Sequence, residues 1–466
     1  MKQKQYIEIR HAIRGIIKGT EWEGHVFVVG GCVRDEIMGL DIKDIDMVID
    51  MPNGGIQFAK WMYLNGYTMN EPVVFQGFGT AMFCLKSFPE FEIECVQTRK
   101  EKYPDRRSRN PEVSHGTIEE DSFRRDLTIN TLGINISTKE LIDITGHGVD
   151  DIRNKVIRTP LDPDITYDDD PLRILRCIRF ASRYGWQIED CTYEGMKSNV
   201  YRLDIITMER VRDELDKMLT CKNPVMAMEL LRKTGAMSHI IPEFEETYDM
   251  TQNHYHFGTV WEHTMKVLEL IDSSDLVLRM AVLLHDMGKV RSREVSDDGK
   301  VHFIGHNIIS ADMAEEILKR LKYPNHFIDE VKFLVFHHMD TKEWKDDLSR
   351  MKPKHLRRLQ HECKTEHRFR QLMLLIDADN KAHAEGYCLM NQVQRLMERT
   401  EAMKKEGSAL FDYKLPFTGA DVMRLKGIKP CPAVKDCMKY LMKLAYVDPL
   451  RPKDQWTKHL IGYKIR

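Results

Sequence analysis

The sequence changes from strand-like runs to helical periodicity near residue 150. Before that point, residues 25–31, 42–50, 80–87 and 91–98 are short apolar runs rich in β-branched side chains, a composition typical of strands. After it, apolar residues recur at three- and four-residue steps, as in residues 171–185, a spacing typical of helices. The pattern predicts an α+β fold, with a small mixed-sheet head followed by all-α neck, body and tail regions.

The length of 466 residues allows roughly three or four domains. We expect a head at 1–150, a helical neck and body at 151–250, a further helical domain at 251–385 and a basic helical tail at 386–466. The polar stretch from Lys100 to Glu120 is long for a connection inside a domain, which predicts a functional or mobile loop.

Composition excludes several classes of protein. With 42% hydrophobic and 30% charged residues, the chain is typical of a globular protein with real cores. Its start has no apolar core of a signal peptide, and no run of about 18 apolar residues occurs, so we expect neither a leader nor a membrane span. The ten cysteines are scattered without a C-x-x-C pair, which favours a reducing, cytoplasmic location over a disulfide scaffold or a structural zinc site.

A glycine pair and two acids predict a phosphate and metal site in the head. Gly30 and Gly31 follow a strand and lead into a helix, so the backbone can approach an anion, and Arg34 can add a charge-assisted contact. Asp44 and Asp46 are two positions apart on a strand, which places both carboxylates on one face. Like charges so close need a cation, and oxygen ligands suit Mg²⁺. Each motif alone also occurs in ordinary turns, whereas the combination favours nucleotidyl transfer through activation of a 3′-hydroxyl.

More polar residues follow in the same half of the chain. Glu94, within a strand-like run, is either a third acid of the site or an exposed strand position. Arg124 and Arg125 suit a triphosphate, while Asp126 and Asn130 suit ribose hydroxyls.

A later helix begins with acids and carries a row of arginines. Asp169 and Asp170 precede Pro171 in the first turn, where acids also complement the helix dipole. The arginines form a cationic stripe beside an apolar one; they are Arg173, Arg176, Arg179 and Arg183.

Taken in order, these blocks resemble the class II tRNA nucleotidyltransferase and poly(A) polymerase family over about residues 25–245. The matching blocks read GGCVRD, KDIDMVID, IECVQTRKE, RRDLTINTLGIN, GVDDIRNKVIRT, DDDPLRILRCIRFA and ERVRDELDKML. The resemblance implies that Asp44 and Asp46 hold catalytic Mg²⁺, with Glu94 as a third catalytic acid. It implies a nucleotide-binding set made of Gly30, Gly31, Arg34, Arg125, Asp126, Asn130, Asp170, Arg173, Arg176 and Arg179.

In that resemblance Asp170 and Arg173 act as an amino-acid template for the incoming base. An arginine donates and an aspartate accepts, so the pair can imitate the hydrogen-bonding edge of a base. Cytosine and adenine would each satisfy the pair, and a wrong base would leave polar groups unpaired.

A second set of residues lies in the helical half. An isolated histidine on an apolar helix is usually a core residue, but the adjacent His285 and Asp286 behind the run AVLL need the compensation that a metal gives. The ordered set resembles the HD phosphohydrolase superfamily across about residues 255–380. By that resemblance a divalent metal such as Mn²⁺, Ni²⁺ or Mg²⁺ is bound by His263, His285, Asp286 and Asp377.

The same resemblance implies that His306 and His337 complete a second metal site or contact phosphate, with His338 as the alternative, and that Lys289 helps to bind phosphate. Because the set is complete, it favours a working hydrolase site over a decayed structural one.

The tail is basic. From Lys414 onward it has twelve lysines and arginines against four acids, so it either neutralises phosphates or forms a solvated helix face. It resembles the C-terminal segment of the same family, except that Cys431 stands where a glycine is usual. We therefore expect tRNA, CTP and ATP as partners, with no membrane and no DNA, and the oligomeric state stays open.

The favoured interpretation is addition of CCA to tRNA. The alternatives are a poly(A) polymerase, a partial enzyme that adds only CC or only A, an HD phosphohydrolase with a nucleotide-binding head, and a non-catalytic RNA-binding protein. Residues 75–85 lack the arginine-rich block typical of poly(A) polymerases of this class, and the polar loop around Asp105, Arg106 and Arg107 argues against a CC-only enzyme.

Overall fold

The computed structural model describes residues 1–102, 112–253, 255–256, 258–344 and 351–464. The chain divides into two compact units, Met1–Pro242 and Glu243–Arg466. The four-part division expected from the sequence remains a prediction, and the predicted loop residues Asp105, Arg106 and Arg107 lie outside the described residues. No helix in the described ranges is long and apolar enough to cross a bilayer.

The first unit contains a mixed sheet. Its strands are β1 (Val26–Val29), β2 (Ile45–Ile49), β3 (Val73–Phe75), β4 (Thr80–Leu85), β5 (Phe88–Gln97), β8 (Gly133–Asn135) and β9 (Leu141–Ile142). Between β5 and β8 in the sequence, β6 (Arg99–Lys102) and β7 (Glu112–His115) form a separate pair. The order across the sheet is β3-β4-β5-β2-β1-β8-β9. The β2–β5 pair is parallel and the other neighbours are antiparallel. Each of the four predicted runs forms a strand, so the predicted α+β class with a mixed-sheet head is confirmed.

The middle of the sheet is buried on both faces. All four residues of β1 are buried, as are four of the five residues of β2. A strand covered on both faces has a continuous apolar sequence instead of an alternating one, which explains the run VFVV. Asp46 is the one residue of β2 that is not buried, so the sheet presents this carboxylate where the apolar run is interrupted.

Helices account for most of the rest of the first unit. They are α1 (Gln3–Ile17), α2 (Gly31–Ile37), α3 (Gly54–Leu64), α4 (Ile118–Phe123), α5 (Gly148–Asn154), α6 (Pro163–Asp169), α7 (Leu172–Tyr184), α8 (Asp190–Asn199), α9 (Met208–Thr220), α10 (Pro224–Lys233) and α11 (Ala236–Ile240). A short parallel pair, β10 (Val156–Ile157) with β11 (Gln187–Ile188), lies among them. The helix α7 ends where Gly185 adopts a left-handed conformation, a common helix terminator.

A buried ion pair joins α7 to α9. Arg179 Nε lies 2.5 Å from Glu214 Oε2, and the two side chains are only 11% and 4% exposed. The Arg179 guanidinium also lies over the Phe180 ring. A charge buried this deeply is tolerated because its partner is present, and removal of one member leaves the other uncompensated.

We therefore expect Glu214→Gln to lower the local free energy of unfolding of α7 and α9 by about 3–5 kcal/mol. Hydrogen exchange of the amides in these two helices measures that quantity directly. The matched control is Asp213→Asn on the same helix, whose side chain is 56% exposed, and it should change stability by no more than about 0.5 kcal/mol. Equal protection in the two variants would contradict the role given to the buried pair.

The second unit is mainly helical, with one hairpin among its described residues. Its helices are α12 (Glu245–Tyr248), α13 (Val260–Leu270), α14 (Leu276–Leu284), α15 (Lys289–Ser292), α16 (His306–Arg320), α17 (Asn325–His337), α18 (Pro353–Cys363), α19 (Glu366–Lys381), α20 (Gln392–Lys405), α21 (Gly419–Lys426), α22 (Pro432–Val447) and α23 (Lys453–Gly462). The hairpin pairs β12 (Arg293–Val295) with β13 (Val301–Phe303) in a region predicted as all-helical. Only three residues on each side form strand, which is too short a segment for periodicity to reveal.

The tail segment has a core of its own. Val422, Cys437, Leu441, Trp456 and Leu460 are buried together, and other apolar side chains pack against them. Seven of the twelve basic residues of this segment lie on its helices, namely Arg424, Lys426, Lys435, Lys439, Lys443, Lys453 and Lys458.

Candidate active site and candidate metal centre

A glycine turn at the end of β1 opens the candidate active site. Gly30 has a φ of 72°, in the left-handed region that favours glycine, and a Cβ atom there would lie 2.9 Å from Arg125 Nη1. Gly31 is the first residue of α2, which carries Arg34. The turn thus lets the Arg125 guanidinium approach the backbone closely, as a side chain at position 30 would not.

Acidic side chains meet where β2 and β5 run in parallel. Asp46 and Glu94 are direct partners in the register, so both side chains leave the sheet on the same face. Asp44, two residues before Asp46, is exposed, and so is Glu94, as one of its two interpretations expected. Burial and the charge of Glu94 raise the pKa of Asp46, Asp44 adds to this, and Arg125 opposes it.

This arrangement fits a divalent cation. A half-buried carboxylate whose pKa is raised by burial and by neighbouring carboxylates is stabilised in its charged form when a positive ion binds between them. Carboxylate oxygens are the ligands that Mg²⁺ prefers. Asp44 and Asp46 would hold such an ion, with Glu94 beside them.

A network of four hydrogen-bonded side chains, three of them buried, supports the site. Arg34 donates to Asn130 Oδ1, Asn130 Nδ2 donates to Asp126 Oδ1 at 2.9 Å, and Arg176 Nε donates to Asp126 Oδ2 at 2.7 Å. Burial alone would raise the pKa of Asp126, but the charge of Arg176 and the hydrogen bonds from Asn130 and Arg176 lower it to about 2. The network links three parts of the first unit, namely α2, the segment that follows α4, and α7. It holds their polar side chains in fixed orientations.

Arg125 is fixed by a separate carboxylate. Its Nη2 donates to Asp121 Oδ2 at 2.9 Å and its Nη1 donates to the Asn130 carbonyl at 3.3 Å. Each of these nitrogens carries a second hydrogen that remains free to bind an anion. Arg125 is therefore held beside Gly30 with donors still available.

Asp170 and Arg173 lie at the start of α7. Asp170 Oδ1 accepts from the Leu172 backbone N–H at 3.1 Å, and Asp170 Oδ2 accepts from Arg210 Nη2 at 2.8 Å. Arg173 donates to the backbone carbonyls of Thr166 at 3.1 Å and Arg124 at 2.6 Å. Both predicted template residues are thus fixed by neighbours, and Arg210 is a contact that the sequence did not indicate.

Arg179, one of the predicted nucleotide-binding residues, needs correction. Arg176 belongs to this network and is 35% exposed, whereas the side chain of Arg179 is 11% exposed and pairs with Glu214. The structure therefore places Arg179 in a structural ion pair and not in the site, because its position along α7 turns it toward α9.

The candidate metal centre lies in the second unit. Five helices each bring a residue to it, either from the helix itself or from the position directly after its end: α13, α14, α16, α17 and α19. We define the HD cluster as His263, His285, Asp286, His306, His338 and Asp379, all of which are buried.

Three histidines of the HD cluster use their rings in the same way. The Nδ1 atoms of His285, His306 and His338 face the carbonyls of Val282, Phe303 and Val335 at 2.7, 2.8 and 2.6 Å. A carbonyl can only accept, so Nδ1 carries a proton in each case and Nε2 is left facing the cluster. Metal-binding histidines are commonly fixed by such a hydrogen bond from the second ring nitrogen.

The Nε2 atoms converge on Asp286. Its Oδ2 lies 3.2 Å from His285 Nε2 and 3.4 Å from His263 Nε2, and its Oδ1 lies 3.3 Å from His306 Nε2 and 3.9 Å from His338 Nε2. Asp379 Oδ1 lies 3.1 Å from His263 Nε2. The HD cluster therefore falls into two sets of ligand atoms on either side of Asp286, one near His263, His285 and Asp379 and one near His306 and His338.

Charges in the HD cluster favour bound cations. Burial alone would raise the pKa of Asp286, but His285 and Lys289 outweigh it and hold that pKa well below its usual range. Burial lowers the pKa of His263, and burial with the charges of His285 and His306 lowers that of His338 to about 3. Burial opposes the charged form of His285, but Asp286 outweighs it and raises the pKa of His285, so a metal that binds His285 would displace a proton from it.

Glycine allows the helices to meet at this point. A Cβ atom at Gly288 would lie 2.4 Å from the His306 carbonyl and 2.5 Å from the Ser310 backbone nitrogen. Only glycine lets α16 approach this closely, which brings His306 to the pair formed by His285 and Asp286.

Two predicted ligands need correction. Asp377 lies outside the HD cluster, where its carboxylate accepts from Lys381 at 2.6 Å, and Asp379 takes its place. His337 also lies outside, paired with Asp340 at 2.7 Å, and its neighbour His338 is the histidine in the HD cluster. Helical periodicity could have found Asp379, because it shares the buried face of α19 with Leu372 and Ile376.

A cavity of about 600 Å³ adjoins the HD cluster. Lys289 and Lys342 lie at its polar side, where their Nζ atoms are 2.6 Å from Asp286 Oδ2 and 2.8 Å from Asp379 Oδ2. His256 and His383, which the sequence did not single out, also line it. The cavity is large enough for a phosphorylated small molecule beside the predicted metals.

Comparison with protein families divides the chain into three matched regions. Residues 26–158 match the family described as Poly A polymerase head domain, and residues 185–247 match Probable RNA and SrmB- binding site of polymerase A. Residues 254–380 match the family described as HD domain.

Named relatives cover different parts of the chain. The chain is 35% identical over 240 residues to tRNA nucleotidyltransferase cca1 of Schizosaccharomyces pombe, a match that covers 48% of this chain and 47% of the relative. The chain thus spans about half the length of that relative. It is 32% identical over 314 residues to the Multifunctional CCA protein of Neisseria gonorrhoeae, covering 64% of this chain and 70% of the relative. It is 29% identical over 342 residues to the A-adding tRNA nucleotidyltransferase of Deinococcus radiodurans, covering 70% and 74%.

Solved structures share the fold along most of the chain. The CCA-adding enzyme of Bacillus stearothermophilus in complex with CTP superposes with a TM-score of 0.68 at 20% identity, covering 97% of this chain and 96% of the other. The Thermotoga maritima CCA-adding enzyme complexed with tRNA gives a TM-score of 0.58 at 22% identity, covering 94% and 91%.

Proposed function

This chain belongs to the family of class II tRNA nucleotidyltransferases and poly(A) polymerases, and from that premise we propose that it adds C, C and A to the 3′ end of tRNA. The nucleotides would come from CTP and ATP, without a nucleic-acid template. The observation that carries the proposal is the pairing of Asp46 with Glu94 across β2 and β5, two residues from Asp44 and close to the Gly30 turn.

In the proposed reaction the 3′-hydroxyl of tRNA attacks the α-phosphate of the triphosphate, and pyrophosphate leaves. Asp44 and Asp46 would hold Mg²⁺, which when bound supplies charge neutralisation at the attacking and leaving oxygens. Arg125 would bind the triphosphate beside the Gly30 turn through its free N–H groups. Arg34 and Asn130 would hold that turn and the segment of Arg125 in fixed relative positions, because the hydrogen bond between their side chains joins the turn to the segment.

Base choice is assigned to Asp170 and Arg173. We expect Arg173→Ala to lower the preference for CTP and ATP over UTP and GTP by about 10-fold or more, because one half of the polar template is lost. The measurement is kcat/KM for each of the four triphosphates on one tRNA acceptor. The matched control is Arg183→Ala on the same helix, and unchanged discrimination in Arg173→Ala would reject the template role.

The alternatives within this family differ in product. Residues 75–85, FQGFGTAMFCL, contain no lysine or arginine, which favours CCA addition over poly(A) addition. An A-only enzyme is the second candidate, because the relative from Deinococcus radiodurans bears that name and matches 70% of this chain.

The deciding experiment incubates the purified protein with Mg²⁺, labelled CTP or ATP, and tRNA transcripts that end before CCA, after C and after CC. Growth that stops at CCA on all three transcripts supports the proposal. Extension only of the transcript that ends in CC identifies an A-adding enzyme. A long A ladder on any RNA identifies a poly(A) polymerase.

A second function is proposed for the second unit, namely metal-dependent hydrolysis of a phosphate ester at the HD cluster. It is supported by the convergence of four Nε2 atoms on Asp286 and by two lysines beside the adjoining cavity. The metal, when bound, supplies an activated water. Lys289 and Lys342 would bind the phosphate.

We also propose a cytoplasmic location. All ten cysteines are free thiols, as expected in a reducing compartment.

A further inference from the structure

We propose that Arg210 is a specificity-determining residue of the first unit, which positions the Asp170 carboxylate so that this carboxylate can discriminate between incoming bases. The proposal rests on the nucleotidyl transfer proposed above. It assigns a role to a residue that the sequence did not single out.

The first observation is that Asp170 is held at both oxygens. The Leu172 backbone N–H donates to Oδ1 at 3.1 Å, and Arg210 Nη2 donates to Oδ2 at 2.8 Å. An aspartate carboxylate otherwise rotates over a broad range, because its terminal torsion has no sharp minima. Two donors at fixed positions stop that rotation. Each oxygen accepts more than one hydrogen bond, so Asp170 can still accept from a base.

The second observation is that Arg210 has a rigid support. It lies in the first turn of α9, and Glu214, one turn further on, forms the buried ion pair with Arg179 of α7. Two ion pairs of opposite polarity therefore connect α9 to its neighbours, one to α7 and the other to Asp170, two residues before α7 begins. Because the inner pair fixes α9 against α7, the outer pair places the Arg210 guanidinium at a constant distance from the start of α7.

The third observation is the difference in exposure between the two pairs. The Arg179 and Glu214 side chains are 11% and 4% exposed, whereas those of Arg210 and Asp170 are 42% and 24% exposed. The inner pair is closed to a ligand, and the outer pair borders solvent. An incoming nucleotide can therefore reach Asp170 while Arg210 still holds it.

Arg210 also keeps the two template residues apart. Asp170 and Arg173 lie three residues apart at the start of a helix, a spacing at which opposite charges can pair. If they paired with each other, neither would face a base. Arg210 engages Asp170, and the Thr166 and Arg124 carbonyls engage Arg173, so the acceptor and the donor stay separate.

The consequence for specificity follows from the bases. Cytosine offers an amino donor where uracil offers a carbonyl acceptor. A carboxylate in a fixed position accepts a hydrogen bond from the amino group of cytosine and repels the carbonyl oxygen of uracil. A carboxylate that can turn toward Arg173 would not distinguish the two bases. Loss of Arg210 should therefore reduce discrimination more than it reduces rate.

The test compares Arg210→Ala, Arg210→Lys and the control Arg212→Ala, which alters an arginine of the same helix that pairs with Asp213. kcat/KM is measured for CTP and UTP on a tRNA that ends before CCA, and CTP and UTP binding to the full chain is measured at equilibrium. We expect Arg210→Ala to lower the CTP/UTP ratio by about 10-fold or more. Arg210→Lys should recover part of the ratio, since it restores the charge without the fork, and Arg212→Ala should keep all of it.

Two outcomes would overturn the proposal. One is an equal loss of kcat/KM for both nucleotides in Arg210→Ala, which would leave Arg210 a merely structural role. The other is an unchanged ratio of CTP to UTP binding in that variant. If the unaltered protein adds no nucleotide at all, the failure lies in the proposed function, and the binding ratio still decides the role of Arg210.

Discussion

Replacement of Asp46 with alanine is expected to reduce nucleotide addition to tRNA by about 10³-fold or more, while the fold of the head is retained. The physical reason is that Asp46 is the one residue of β2 that is not buried, and its partner across the parallel pair is another acid. Removal of one neutral hydrogen-bond donor that acts on the transition state costs about 10²–10³-fold in another enzyme, and we expect loss of a charged metal ligand to cost more. The measurement is single-turnover addition of CTP to a tRNA that ends before CCA.

The matched control for this prediction is Asp41→Ala. Asp41 is exposed and precedes the same strand, but it lies outside the set formed by Asp44, Asp46 and Glu94. Asp41→Ala should keep activity within about 3-fold, as a surface substitution normally does. If Asp46→Ala kept the activity of the control, the assignment of Asp46 as a ligand of the catalytic metal would be wrong.

Local pattern predicted the strands that carry these acids, but not their pairing. The four apolar runs were sufficient to locate β1, β2, β4 and β5, because each is long enough for its composition to be distinctive. That β2 pairs with β5, with β3 and β4 between them in the chain, is a property of the sheet order. The sequence therefore left Glu94 with two interpretations, since a one-residue change in register would move it to the other face.

The arginines of α7 show the same limit. Arg176 and Arg179 are three residues apart and appear equivalent in a cationic stripe. In the structure Arg176 meets Asp126 and Arg179 meets Glu214, and these carboxylates come from two different segments. Periodicity predicts which residues share a face of a helix, but the partners of that face depend on tertiary packing.

The second large effect is expected at the HD cluster, where Asp379→Asn should weaken divalent metal binding by about 100-fold or more and Asp377→Asn should not. Both acids are on α19, two positions apart, and the resemblance to HD phosphohydrolases had pointed to Asp377. Asp379 Oδ1 lies 3.1 Å from His263 Nε2, whereas Asp377 pairs with Lys381 at its half-buried position. Two residues along a helix correspond to a rotation of about 200°, so the two side chains face opposite sides of α19.

Equilibrium dialysis of Mn²⁺ or Ni²⁺ would measure this difference in a chain that also carries Asp46→Ala, so that the head does not contribute to binding. Hydrogen exchange of the amides in α13, α14 and α19 shows whether the second unit of each variant is folded. An Asp379→Asn protein that binds metal as tightly as Asp377→Asn would rule out the HD cluster as the metal centre. The expected result is that metal binding is weakened in Asp379→Asn and unchanged in Asp377→Asn. Of the two acids, only Asp379 joins the set of buried ligand atoms around Asp286. In that case the lysines beside the cavity, which contact Asp286 and Asp379, would lie next to the metal, where a phosphate ester must bind to be hydrolysed.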